Sequence, residues 1–347
     1  MARIHSRRWF AGPPAATALA AVLVACGDPT LNAEPSPACV QQSLVASRGD
    51  PDTLDVATWN VDWFGHTGFG PEDEALQQAN ARDVIAGTDF DVWGLEEVVG
   101  GAAFDDLQAQ LPGYTGLLAN DALVSDGSTY YSNAEQKPAI LYKSDLASLI
   151  SAQIILADHN FDFAGRPPLE VKLNVTLNGL TEERTFIVLH MKAFNDAASW
   201  ERRSNASAAL KSYLDENYPT QKVLVIGDWN DDVDTSIARG RPSPYQEFVD
   251  DTDRYAFATQ SLSAMGERST CGHPEVIDHQ LNTNEQRADL ITDSVEVYRL
   301  DEQIPDYCTT TSDHFPVLAR YQFGGGTSVP ARVNPPASDR PCAVARR

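Results

Sequence analysis

The chain has 347 residues, 42% of them hydrophobic and 9% aromatic, enough apolar material for the core of one large domain or two small ones. Its 49 Asp and Glu outnumber 26 Lys and Arg, for a net charge of −23. A surface that acidic excludes general attraction to nucleic acid or anionic membrane, although it can gather divalent cations, and adaptation to a salty medium would give the same charge with no function attached.

The first residues read as an address rather than as part of the fold. MARIHSRRWF is basic, and an alanine-rich apolar run follows it, ending LVAC at Leu23 to Cys26. A charged start, a short apolar middle and a small-residue cleavage site make residues 1–25 an export signal. SRRWF resembles the twin-arginine pattern, and LVAC resembles a bacterial lipobox, in which Cys26 is lipidated and becomes the new N-terminus. Pro13 and Pro14 break the apolar run, which is too short for a comfortable spanning helix. The expectation is an exported protein, secreted or lipid-anchored at the cell surface or the periplasmic face of the outer membrane. Its membrane attachment would be that anchor alone. Residues 26–53, rich in Pro, Ser, Asn and Asp, read as a tether. With Cys26 lipidated, four cysteines remain, which allow three pairings in an oxidising compartment. Cys271 with Cys308 and Cys39 with Cys342 is the preferred set. No CxxC occurs, and the wide spacings argue against zinc.

From 54 to 322 the chain shows no linker or repeat, and short β-rich runs alternate with helical stretches. In order, LDVATW (54–59) predicts a strand, PEDEALQQANARDVIA (71–86) a helix, and FDVWGLEEV (90–98), PAILYK (138–143), PLEVKLNVTL (168–177) and TFIVLHM (185–191) strands. SWERRSNASAALKSYLDENY (199–218) predicts a second helix, with Ala206, Leu210, Tyr213 and Leu214 at helical spacing. KVLVIGD (222–228), EVIDHQL (275–281) and DHFPVLARYQF (313–323) predict further strands. A low-complexity tail, GGGTSVPARVNPPASDRP within 323–347, closes the chain.

Nearly every strand ends in polar side chains. TWNVDWF puts Asn60 and Asp62 on alternate positions, hence on one face. GLEEV ends in Glu96 and Glu97, and LHMKAF carries His190. GDWNDD delivers Asp228 and Asn230 with Asp231 and Asp232 behind them, IDHQ carries Asp278 and His279, and SDHFPV carries Asp313 and His314. Each has a plain explanation when taken singly: a turn, a solvated strand end, a satisfied core-edge histidine. An oxygen-rich cluster at strand ends normally faces solvent or a cation, since isolated buried carboxylates are costly.

In this order, WNVD, LEEV, LHMKA, GDWN, IDH and SDHFPV resemble the endonuclease/exonuclease/phosphatase superfamily, over about residues 54 to 322. The resemblance implies a four-layered α/β sandwich, two packed mixed β-sheets flanked by helices, with the strand ends meeting at one rim. It implies hydrolysis of a phosphate ester with a divalent cation, Mg²⁺ or Mn²⁺ with Ca²⁺ as a further option, all hard ions that suit oxygen ligands. Glu97 would be the principal ligand, helped by Asp62 and Asp313. Asn60 and Asn230 would orient phosphate or water, and Asp228 would orient or deprotonate the attacking water. His314 would face the phosphate, held by Asp278, and His190 would be a second phosphate-facing histidine. Arg166 in GRPPLEV resembles a phosphate-facing arginine of the nuclease branch, and Glu135 is a weak candidate partner for His190. Glu96 stands where the superfamily usually has glutamine.

The resemblance leaves the substrate open. HMK and RPP lean towards a nuclease, so the leading reading is an exported, metal-dependent phosphoesterase acting on nucleic acid, with no obligate protein partner. Against it stands the absence of any Lys/Arg run, although Lys137, Lys143, Lys172, Lys192, Arg202 and Arg203 could gather into a local patch. The alternatives are a phosphatase or phosphodiesterase on inositol phosphates, phospholipid headgroups or small nucleotides, and a non-catalytic surface lipoprotein that binds through the same fold.

Overall fold

A computed structural model describes residues 45–324. The export signal, the lipidation candidate Cys26, and the second cysteine pair, Cys39 and Cys342, lie outside the described residues.

Among the described residues thirteen strands form two mixed sheets. The strands are β1 Leu54–Phe64, β2 Val92–Val98, β3 Tyr114–Leu118, β4 Val124–Ser125, β5 Lys137–Lys143, β6 Ala147–Ile154, β7 Leu169–Leu177, β8 Leu180–His190, β9 Val223–Asp228, β10 Tyr255–Phe257, β11 Asp278–Thr283, β12 Glu296–Val297 and β13 Val317–Tyr321. One sheet runs β12-β13-β1-β2-β5-β3 and the other β10-β11-β9-β8-β7-β6-β4. β1–β2, β8–β9 and β4–β6 pair in parallel and the remaining neighbours antiparallel.

Alternation along β1 shows how the layers assemble. Val56 faces inward to meet Val92, Ile140, Val188 and Ile226 between the sheets. Ala57 and Trp59 face outward, against Val84 and Ile85 of α1 (Glu74–Thr88) and Phe104 of α2 (Gly101–Ala109). On the far side Ile187, Leu189 and Val225 pack against Ala206, Leu210 and Leu214 of the long helix Ala197–Asn217. The result is helix, sheet, sheet, helix, the arrangement that lets each element bury its apolar side. Asp196 caps the long helix by accepting from the Ala198 and Ser199 N–H groups, and Asp73 caps α1 through Leu76.

Some elements depart from expectation. Residues 45–53, assigned to the tether, are docked: Val45 is buried in the outer core, and the Tyr298 hydroxyl donates to Ala46 O. Phe323, assigned to the tail, packs between the sheets. The strand expected at 275–281 begins only at Asp278, because Val276 N–H is spent on the Asp232 carboxylate and Ile277 N–H on Ser269 Oγ instead of on a ladder. A disulfide joins Cys271 and Cys308, which ties the loop before β11 to the helix Tyr307–Thr310. Among the described residues no helix is long and apolar enough to cross a membrane.

Candidate active site

The inner-face alternation that buries Val56 and Val92 carries Thr58, Asn60 and Glu96 to the rim between the sheets. Glu96 is fully buried and accepts from Thr58 Oγ1 at 3.0 Å. On regular alternation Glu97 would point the other way. Instead Glu97 sits at φ +63, the pairing of β2 with β5 shifts between Leu95 and Val98, and its carboxylate turns onto the rim. There it accepts from Asn60 Nδ2 (3.1 Å) and from the Trp63 N–H (3.1 Å).

Asp62 reaches the rim by a different route from the one expected. It stands at φ +48, so strand alternation does not place it. Its N–H donates to Asn60 Oδ1 at 3.0 Å, and a bulge between Asn60 and Phe64 carries it beside Glu97. With Trp63 (φ +53) and Asn230 (φ +55), four non-glycine residues here hold left-handed backbone. Such conformations cost about 1–3 kcal/mol each and collect at functional sites.

The second sheet contributes a single row. His190, Asp228 and Asp278 are mutual register partners across β8, β9 and β11, so their side chains rise together on the inner face. Gly227 makes the close approach possible. At φ +151, a Cβ there would lie 2.0 Å from Leu189 O. Asp228 accepts from Asn60 Nδ2 (3.1 Å) and Asn230 Nδ2 (3.0 Å), which joins the two sheets at the rim.

His314 closes the group. Its Nδ1 lies 2.9 and 3.0 Å from the two oxygens of buried Asp278, and its Nε2 lies 3.9 Å from Asp228 and 3.8 Å from Asp313. Its backbone is pinned: Trp59 Nε1 and the Tyr307 hydroxyl both donate to His314 O, and its N–H donates to Ser312 Oγ, which itself donates to Asn60 O. The Cys271 N–H donates to Asp313 O at 2.7 Å, so the disulfide backs the same loop. Trp59, Tyr307 and Ser312 escaped the sequence reading. Ser312 stood within the SDHFPV motif, but nothing marked the aromatics as anything beyond core.

Charge at the rim is unevenly distributed. Burial opposes the imidazolium form of His314, but the carboxylates of Asp278 and Asp228 outweigh it and hold its pKa well above the ordinary histidine value. Burial pushes Asp228 up, with the His314 charge opposing and Asp278 adding. Burial, then the neighbouring charges of Asp313 and Glu97, push Asp62 up to about 7. Burial, then repulsion from Arg166 and His314, holds His190 well below the ordinary value, so this ring is neutral at pH 7. His190 Nε2 faces Asp228 (3.4 Å) and Glu97 (3.7 Å).

Other sequence candidates lie elsewhere or do other work. Glu135 does not partner His190; it accepts from Ser132 at the chain surface. Asp231 and Asp232 do not belong to the rim cluster. Asp231 accepts from Arg203 and Ser236, and Asp232 from the Val276 N–H. His279 is a satisfied core histidine on the outer face, between Thr259 and Asp231 O. Arg166 donates to Gln136 Oε1 (2.5 Å) and Met191 O (2.9 Å), with its guanidinium in electrostatic reach of Glu97 and Asp228. It lines a cleft of about 450 Å³ with Trp63, Tyr130, Gln136 and Asn160. Of the basic candidates, Lys137 is buried on backbone carbonyls, Lys143 pairs with Asp89 and Asp91, and Lys172 sits over Tyr218. Lys192 does lie within electrostatic reach of Arg202, Arg203 and Arg166.

Comparison with known proteins agrees with this geometry. The Endonuclease/Exonuclease/phosphatase family pattern matches residues 57–314, a span that runs from β1 to His314. No curated protein matches the chain by sequence. Among solved structures, D. rerio TDP2 humanised by 14 mutations is 16% identical with TM-score 0.55, over 78% of this chain and 99% of that one. The human nocturnin catalytic domain with bound sulfate is 17% identical with TM-score 0.53, over 79% and 95%. D. rerio TDP2 complexed with a single-strand DNA product is 15% identical with TM-score 0.53, over 78% and 98%. The two helix-flanked mixed sheets are the fold these chains share. The chain belongs to the endonuclease/exonuclease/phosphatase family, and it is a phosphoric ester hydrolase of that type.

Proposed function

We propose that the protein is an exported, divalent-cation-dependent phosphodiesterase acting on nucleic acid. The observation that carries the reading is the buried Asp278–His314 pair set beside Asp228, with Asn60 bridging Asp228 to Glu97 across the two sheets. That juxtaposition supplies a cationic hydrogen-bond donor, a carboxylate base and an acidic ligand group around one point.

The donor set fits a hard cation. Asp62 is pushed up to about 7 by burial and by Asp313 and Glu97, a repulsion that a divalent cation at these oxygens removes. Asp228, Asp278 and His314 also place ligand atoms within 4.8 Å of one another, but Asp278 is already committed to His314 Nδ1, so Glu97 with Asp62 and Asp313 is the better set. Mg²⁺, Mn²⁺ or Ca²⁺ held there would neutralise charge on the phosphoryl oxygens. Asp228 accepts the proton of the attacking water, and its raised pKa brings it near the operating pH. His314, kept cationic by Asp278, donates from Nε2 to a phosphoryl oxygen. Asn60 and Asn230 hold Asp228 in place. His190, being neutral, donates a hydrogen bond to the leaving oxygen, which takes its proton from solvent water as the P–O bond breaks, and Arg166 offers a fixed positive charge beside it.

A substrate panel tests the reading. With Mg²⁺, turnover of a DNA strand is expected to exceed that of inositol phosphates, phospholipid headgroups and p-nitrophenyl phosphate. DNA left intact while one of those is hydrolysed would give the site to the alternative that the acidic surface favours. Export and lipid anchoring at Cys26 belong to the same proposal and rest on the LVAC and SRRWF segments. Mass spectrometry of membrane-extracted protein is expected to find a diacylglyceryl group on Cys26, and an unmodified Cys26 on the mature chain refutes anchoring.

A further inference from the structure

Next to the catalytic rim, two aromatic rings stand out in solvent where a globular protein would bury them. Phe161 is 73% exposed and Phe194 70% exposed. Each carries a cation over one face, with the Arg202 guanidinium 4.2 Å from the Phe161 centroid and Lys192 Nζ 4.1 Å from that of Phe194. The high exposure means that the opposite faces are open.

Phe194 is held out deliberately. Its backbone sits at φ +80, a costly conformation for an aromatic residue. The conformation persists because Arg203, buried and ion-paired to Asp231, donates from Nη1 to the carbonyls of both Lys192 and Phe194 at 2.7 Å. Arg202 similarly clamps Phe161 O through Nε at 3.0 Å. Two of the nearby acids have partners, Asp196 capping the long helix while its charge still acts on Lys192, and Asp162 accepting from Asn205 and facing His159. On a chain of net charge −23, this is a local cationic and aromatic ridge. It runs into the rim through Arg166, whose charge is felt by Lys192 on one side and reaches Glu97 and Asp228 on the other.

We infer that Phe161 and Phe194, with Lys192 and Arg202, form a stacking platform for unpaired bases of a single-stranded nucleic acid whose phosphates lead to Arg166. The inference rests on the phosphodiesterase reading of the adjoining rim and adds the substrate class. A duplex keeps its bases stacked on each other and cannot offer their faces to the two rings, whereas every unpaired base has a face to offer. The cations supply the phosphate attraction that the rest of the surface withholds.

The test is binding of fluorescein-labelled oligothymidylate, about twelve nucleotides long, to the full chain carrying Asp228→Ala, with Mg²⁺ present. Adding Phe161→Ala and Phe194→Ala together is expected to raise Kd roughly a hundredfold, about tenfold for each base that loses its ring. Trp at both positions is expected to keep the affinity. A duplex of equal length is expected to bind weakly and to respond little to either change. An unchanged Kd in the alanine variant overturns the platform, as does an equal loss for duplex. Loss of binding to phosphatidylglycerol vesicles with oligonucleotide affinity intact would reassign the ridge to a membrane. A chain with Asp228 restored that binds the strand through the ridge but never cuts it would instead sink the phosphodiesterase reading, leaving the platform standing.

Discussion

Replacing His314 by alanine is expected to lower phosphodiester turnover by about 10²–10⁴-fold, the usual worth of a positioned acid–base group. The loop itself should persist, because the contacts that fix it go to the His314 backbone from Trp59, Tyr307 and Ser312. Stability is expected to fall by about 1–3 kcal/mol, because Asp278 is left buried without its partner. The companion change Asp278→Asn separates position from charge. The amide still accepts from Nδ1 but no longer holds the imidazolium charge. If His314 works protonated, activity falls as pH rises through its pKa, and that pKa is high because of Asp278 and Asp228. The asparagine variant should therefore lose kcat/KM at lower pH than the parent. Coincident alkaline limbs in the two pH profiles would show that Asp278 does not set the charge of His314.

Asp228→Asn is the second large effect. Turnover should drop by about 10²–10⁴-fold, because an amide cannot take a proton from water. The fold should respond in the opposite sense. Burial raises the Asp228 pKa above the roughly 3.9 of an unfolded aspartate, so the folded chain keeps a proton that the unfolded chain releases. Stability from this group is greatest at acidic pH and is lost as pH rises through the folded pKa. Asp62, pushed up to about 7, behaves likewise. In EDTA, Asn at 228 should raise Tm by several degrees at pH 8, with the difference shrinking towards pH 4. Thermal unfolding at both pH values checks this, and a variant less stable than the parent at pH 8 would contradict it. A residue needed for turnover would then also be one that the metal-free fold holds at a cost.

Much of this site was legible because strand-end motifs fall in a fixed order along the chain. Asn60, Glu97, His190, Asp228, Asp278 and His314 all reach one rim. The reasons they meet were not legible. The His190–Asp228–Asp278 row depends on which strands pair and in what register, which is a matter of long-range packing. Glu97 and Asp62 arrive through left-handed backbone at bulges, whereas alternation alone would turn Glu97 away. Asp231 and Asp232 read as part of the acidic cluster, yet one pairs with Arg203 and the other caps an incoming loop, because period-two geometry ends with β9.

The fold shows the same division. β7, with apolar residues at every second position, and β9, a continuous apolar run, follow the sequence pattern. β4, β10 and β12, of two or three residues, are too short to show a period. β6 went unread because most of its outward positions are polar or half-exposed. α2 begins at Gly101 with no side-chain cap to announce it.

The most direct measurement is cutting of supercoiled plasmid by the protein with Mg²⁺ or Mn²⁺ against EDTA, with the His314→Ala protein run beside it to exclude a contaminating nuclease. Nicking or linearisation that needs the cation and disappears in the variant is the predicted result. No cutting by a folded wild-type chain, or cutting that His314→Ala retains in full, would contradict the assignment of this rim as a nucleic-acid phosphodiesterase centre.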